Sequence, residues 1–301
     1  MIELKNEKIA IPVVLFAGLL WSFGPLVVRF MDKPELVPWQ YIFARGTTIF
    51  FLLNVYLYLE EGKNFYKNYL KIGKSGLIGG CGLGLAMITF IYSITNTSAA
   101  ITLLCLAAMP FFTALLGFLF LKEKISFNVW IAIIIATVGI IIIALGNTEK
   151  NSLVGLLFGM TSSIGFSVFS VSLRWRKETP KFTTVAIAGI FCAFVSIIFI
   201  IANDSSFIST SYNSGLFSLH GTIVCMGLIL YSIGSKAIPA AELTLLSLTE
   251  VIGGIFWVWL PFLGINEVPT TNTIIGGFFL FMSIIYYSLT IKTNRRFIAL
   301  N

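Results

Sequence analysis

The amino-acid sequence predicts an all-α membrane protein of ten transmembrane helices arranged as two inverted five-helix repeats. Three observations predict it: 57% of the 301 residues are hydrophobic and only 11% charged, apolar segments of spanning length recur along the chain, and two segments five helices apart match in sequence. A soluble domain carries about a quarter charged residues because its surface faces water. Here mean hydropathy is +0.94, so most of the surface is built for lipid. The net charge of +7 would suit nucleic acid or an anionic membrane surface. The basic residues fall in short loops between apolar runs, which favours the membrane and excludes nucleic acid as a partner. Cys81, Cys105, Cys192 and Cys225 all lie inside apolar runs without CxxC spacing, and read as packing residues rather than disulfides or metal ligands.

A spanning helix needs about 20 apolar residues. Ten segments qualify: 9–29, 39–59, 71–92, 98–120, 125–145, 152–174, 183–203, 215–235, 239–262 and 272–291. The connections are too short for a soluble domain. Lys5 and Lys8 precede the first segment, as in a signal peptide, but its run continues through Trp21, Pro25 and Arg29. It is expected to be retained as a helix. With the N-terminus placed in the cytoplasm, sixteen Lys and Arg fall on the inner side and three on the outer, with Arg45 inside a helix. That bias predicts cytoplasmic N- and C-termini, and a cytoplasmic loop at 174–182, for a multi-pass protein of the cell (inner) membrane.

The stretch IYSITNTSAAITLLCL (91–106) matches LYSIGSKAIPAAELTLLSL (230–248), and each copy ends its helix near a glutamate, Glu123 or Glu267. The offset corresponds to five helices. Five is odd, so the second half inserts upside down relative to the first. The expected division is a five-helix repeat at 1–148 and another at 149–301. Inverted repeats of this kind place a substrate site at the bilayer midplane, between halves that rock.

LLWSFGPLVVR (19–29), FAR (43–45), AAMPFFTALLGFLFLKE (107–123) and SLTEVIGGIFWVWLPFLGINE (247–267), in this order and duplication, resemble the EamA type of the drug/metabolite transporter (DMT) superfamily. The resemblance spans nearly the whole chain. It implies a central cavity walled by helices 1, 3, 4, 6, 8 and 9, reached by Trp21, Tyr92, Met109, Ser162, Tyr231 and Glu250. It further implies transport of amino acids, other metabolites or drugs, often outward. The second half lacks counterparts of Trp21 and Arg45, so any role they have belongs to one half.

Single residues sharpen these expectations. Glu250 lies about 16 Å along helix 9 at 1.5 Å per residue, near the midplane. A carboxylate there costs about 3 kcal/mol or more unless it faces a cavity, finds a partner or is protonated. It is a candidate for contacting a substrate amine or binding a proton, against the alternative of a hydrogen-bonded helix lock. Arg45 sits about 9 Å below Trp39 and stays charged, so it is a candidate for gating or charge-pairing, or it snorkels to the interface. Glu242, rotated about 80° from Glu250, and Asn96, one turn beyond Tyr92, join it as gating or charge-pairing candidates. Tyr92 and Tyr231 occupy matched repeat positions at opposite faces and read as opposed gates or as interfacial tyrosines. Trp21, Ser22 and Pro25 form a polar, aromatic, proline-interrupted patch that suits a cavity wall or a kink. Ser162, with Thr161 and Ser163, offers hydroxyls to a substrate or close helix packing. Glu123 and Glu267 read as helix caps or local ion pairs, and His220, the sole histidine, as a residue near the outer start of helix 8.

The chain has no GxxxxGK[ST] loop for ATP, no HExxH and no GxSxG, so a membrane enzyme, a resident cofactor and a metal centre are not expected. The partners expected are a small-molecule substrate and the lipid bilayer, with protons as the candidate coupling ion. A monomer and a dimer stay open. Drug, osmolyte or nucleobase carriage stands beside amino-acid carriage, and a non-transport scaffold is the remaining alternative.

Overall fold

The computed structural model describes residues 6–123, 125–146, 153–176, 178–265, 268 and 270–298; Glu267 lies outside them. Among the described residues all regular structure is helical. Eight helices are long and apolar enough to cross a membrane: α1 (Glu7–Arg29), α2 (Pro38–Asn64), α3 (Gly73–Asn96), α4 (Ala99–Leu121), α6 (Val154–Trp175), α7 (Lys181–Ala202), α8 (Ser211–Gly234) and α9 (Ala240–Trp259). Two more, α5 (Phe127–Gly146) and α10 (Thr271–Ile298), contain shorter apolar stretches, Phe127–Ile142 and Ile274–Tyr287.

The ends follow local chemistry. Asn6, Ser98 and Thr210 accept hydrogen bonds from the first-turn amides of Lys8, Ile101 and Asn213, which satisfies orphan donors of α1, α4 and α8. Pro38 opens α2 without forfeiting a helical bond, and Gly62 at φ +62° stops its α-helical part at Glu61. Helix α4 ends in a widened π turn, Gly117–Leu121, followed by Lys122 in the left-handed region.

Three helices are interrupted. Helix α1 breaks at Ser22 between Glu7–Trp21 and Phe23–Arg29. Its Pro25 removes a donor, and the Ser22 hydroxyl bonds back to Leu19 O at 2.6 Å. Helix α4 breaks before Met109 and Pro110. Helix α9 breaks between Leu246 and Thr249, where Thr244, Ser247 and Thr249 all turn their hydroxyls onto carbonyls one turn back. Such back-bonding competes with the amide ladder and bends helices.

The principal contacts are α3 with α6 and α7, α2 with α7 and α8, α1 with α8 and α9, α4 with α6 and α9, and α5 with α10. Small residues allow them: a Cβ on Gly82 would stand 3.0 Å from Gly165 O, and one on Gly165 2.6 Å from Gly82 O. With lipid outside, no hydrophobic gain drives apolar helices together, and close van der Waals packing over such positions does so. Large apolar side chains such as Phe51, Ile134, Phe194 and Phe278 are exposed on the outer surface, as a lipid-facing wall requires.

Candidate functional site

The three interrupted helices converge on an interior cavity of about 60 Å³, room for several ordered waters. Helix α1 contributes Trp21 and α2 Arg45. Helix α3 contributes Leu83, Ala86, Met87 and Phe90, and α4 Leu106 and Met109. The far wall is Ser162 and Phe166 from α6, His220, Val224 and Leu228 from α8, and Glu250 from α9. Met109 opens the second part of α4 and Glu250 lies in the first turn of the second part of α9, so both breaks deliver a side chain to the cavity.

Most polar side chains on this wall are already engaged. Ser162 donates to Ala86 O at 2.9 Å. Trp21 Nε1 donates to Val224 O at 3.3 Å. His220 Nδ1 shares a hydrogen bond with the Tyr41 hydroxyl, and Tyr41 stacks on Phe217 at 4.7 Å. Arg45 differs. Its side chain is buried, and Nε and Nη1 have no hydrogen-bond partner among the described residues. Its guanidinium lies 5.7 Å from the centroid of Phe90, a cation–π approach that offsets only part of the lost hydration. Glu250 opens into the same space. A cation that cannot deprotonate and a carboxylate therefore share a small, mostly apolar chamber.

Of the residues expected at the cavity, Trp21, Met109, Ser162 and Glu250 line it, and so does Arg45. Tyr231 sits one layer away: fully buried, 5.4 Å from Trp21 and 5.2 Å from Phe166, with its hydroxyl 2.6 Å from Ser170 Oγ. Tyr92 lies elsewhere, half-buried between Trp39 and Phe158, each at 5.2 Å, and Asn96 beyond it donates to Tyr92 O. Ser22 faces α9, accepting a 2.9 Å bond from Trp257 Nε1. Glu242 accepts a hydrogen bond from Tyr287 of α10. Ser22, Tyr92, Asn96, Tyr231 and Glu242 are thus not among the lining residues. His220 is the clearest residue the sequence reading missed. Helix α8 starts at Ser211, earlier than its apolar run suggests, which carries His220 inward from the interface to the cavity.

Eight helices of spanning length, seven of them lining a chamber with a buried guanidinium, describe a multi-pass membrane protein. Residues 8–145, spanning the first five helices, match the model of the EamA-like transporter family. A Helicobacter pylori protein described as an uncharacterized transporter is 28% identical over 184 residues, 60% of this chain and 60% of that protein. The match thus spans less than two thirds of that relative. The pseudopaline exporter CntI of Pseudomonas aeruginosa is 25% identical over 221 residues, 72% of this chain and 75% of the exporter. A solved crystal structure shares the fold at a TM-score of 0.74 and 16% identity, covering 96% of this chain and 99% of that one.

Proposed function

We propose that the protein is a secondary carrier that moves a small organic solute, an amino acid or related metabolite, by alternating access through the central cavity. The observation that carries this reading is the Arg45 guanidinium, buried with Nε and Nη1 unbonded, in the same chamber as Glu250. Leaving those donors empty is costly, and a solute carboxylate entering the cavity would give the guanidinium a charge-assisted partner. Glu250 is placed to receive an ammonium or a proton. The apolar wall of Met87, Phe90, Met109 and Phe166 suits the remainder of such a solute.

Alternating access needs two equivalent halves, and the packing supports them. Exchanging each helix for the one five places on turns the α3–α6 contact into α8–α1, α3–α7 into α8–α2, and α4–α6 into α9–α1, while α2–α7, α4–α9 and α5–α10 map onto themselves. All of these contacts occur. In this reading the repeats are 1–148 and 149–301, α5 and α10 complete ten spans, and both termini face the cytoplasm of the cell (inner) membrane. Export is the favoured direction, because one relative is named an exporter. Protons are the proposed coupling ion, with Glu250 as their site.

The test is flux. Purified protein would first be screened by thermal shift against amino acids, polyamines, nucleobases and osmolytes, and the stabilising solute then loaded into proteoliposomes. Saturable solute movement that Arg45→Gln abolishes supports the carrier. Solute movement equal to that of empty liposomes, for a solute that stabilises the protein, would sink it.

A further inference from the structure

At the end of the molecule where α4 and α6 finish and α7 and α9 begin, buried polar groups form a network distinct from the cavity. Arg174, at the end of α6, donates through Nη1 to Ser235 O at 2.9 Å and Ile238 O at 2.7 Å. Lys181 donates to Ser232 O at 3.1 Å and Ser235 Oγ at 2.7 Å. The carbonyls at a helix C-terminus carry partial negative charge, so these two cations tie the end of α8 to α6 and α7. All of these residues belong to the second half of the chain. Among the described residues, Glu123 is the one that reaches in from the first half. Its Oε1 accepts from Arg174 Nε at 2.6 Å and its Oε2 from the Ala240 amide at 3.3 Å, where α9 begins.

We propose that Glu123 is the latch of a gate, and that its release from Arg174 and from the first amide of α9 opens the cavity to this end of the protein. The latch rests on the carrier reading above. Two features suit it to movement. The pair is only partly buried, with Glu123 and Arg174 side chains 22% and 23% exposed, so water can reach and replace either partner. Glu123 also hangs from the widened π turn Gly117–Leu121 and the left-handed Lys122, an irregularity that recurs at functional positions in helices and sets it apart from the straight part of α4. Trp21 and Phe166 of the cavity wall pack against Tyr231, one turn before Ser235, and the latch holds this cluster shut.

Accessibility in a cysteine-free background tests this without any solute. A single cysteine replacing Leu228 on the cavity wall reports entry, and one replacing Lys236 identifies the membrane face to which this end belongs. Membrane-impermeant maleimide is applied to each face of proteoliposomes holding the full-length protein. Glu123→Gln keeps the shape of the side chain and removes its charge. It is expected to speed labelling of the Leu228 cysteine from the Lys236 face about tenfold and to slow it from the opposite face. Arg174→Gln should give the same shift, and the double variant no more than either alone. Unchanged rates from both faces in a monodisperse Glu123→Gln protein overturn the latch. If Glu123→Gln does not purify as monodisperse protein, Arg174→Lys, which keeps the charge but not the forked donors, is judged by the same two rates. Because the face is defined by Lys236, an inverted topology would not disguise the result. A shifted accessibility without solute flux would keep the latch and remove the proposed transport.

Discussion

Gly46 of α2 and Gly189 of α7 meet backbone to backbone. A Cβ on Gly46 would lie 2.8 Å from Gly189 O, and one on Gly189 would lie 2.7 Å from Gly46 O. The same reciprocal approach joins Gly82 of α3 and Gly165 of α6, so it marks close helix crossings in general. At Gly46 it also lets α2 approach closely enough for Arg45, one residue before, to enter the cavity.

The first prediction concerns that crossing. Gly46→Val forces the helices apart against backbone atoms, which cannot move aside as a flexible side chain can. Overpacking of this kind costs about 1–3 kcal/mol or more. A thermal unfolding scan in detergent should show a lowered midpoint for Gly46→Val and for Gly189→Val. Gly215→Val, at a glycine whose added Cβ would meet nothing within 4 Å, should leave it nearly unchanged. Equal midpoints for all three would contradict the crossing.

Charge within apolar runs is conspicuous in a sequence, so Arg45 and Glu250 stand out, and the structure brings both to one cavity. Phe90, Met87 and Phe166 do not stand out. In a water-soluble helix an apolar stripe marks the buried face, but here lipid-facing and cavity-facing positions are both apolar and periodicity carries no contrast. Met109 and Trp21 were legible through family resemblance rather than pattern. Lys181 reads as a loop cation from its position beside Pro180, yet it is buried against α8, because no local signal announces a distant helix C-terminus. The interruption of α9 was equally silent, since Thr244, Ser247 and Thr249 are acceptable in an unbroken membrane helix.

The second prediction concerns topology. The basic asymmetry puts the α2–α3 connection inside and the α7–α8 connection outside. Lys67 and Ser205 are exposed in these connections. In intact cells an impermeant thiol reagent should label a cysteine replacing Ser205 and spare one replacing Lys67. The reverse pattern would invert the proposed orientation.

The third prediction separates charge from shape at Arg45. Arg45→Lys keeps a cation but loses the planar fork that fits a carboxylate. If Arg45 binds the solute carboxylate, Kd measured by calorimetry should rise about ten- to hundredfold, the equivalent of losing about 1.5–3 kcal/mol of charge-assisted bonding. A methyl ester of the same solute should bind the parent and the Lys variant about equally. A Kd indifferent to both changes would place Arg45 outside solute recognition.

The last prediction is that Glu250→Gln folds and inserts but loses concentrative flux or its pH dependence. The carboxylate stands in the first turn of the second part of α9, inside a chamber whose other free charge is Arg45. An ionised carboxylate in so apolar a setting is tolerated only when a cation or water attends it. If it meets the solute's ammonium, removing the charge weakens binding in proportion to the solute's own charge, and a deaminated analogue should not notice the change. If it carries the coupling proton, binding of the native solute survives, but counterflow exchange continues while accumulation driven by a pH gradient disappears. If it is structural, glutamine preserves the hydrogen bonding and transport stays normal, whereas Glu250→Ala lowers the thermal midpoint. Flux, its pH dependence and the midpoint, measured on both variants in the same proteoliposome preparation, therefore distinguish the three roles. Normal flux with normal pH dependence in Glu250→Gln would assign Glu250 to the framework.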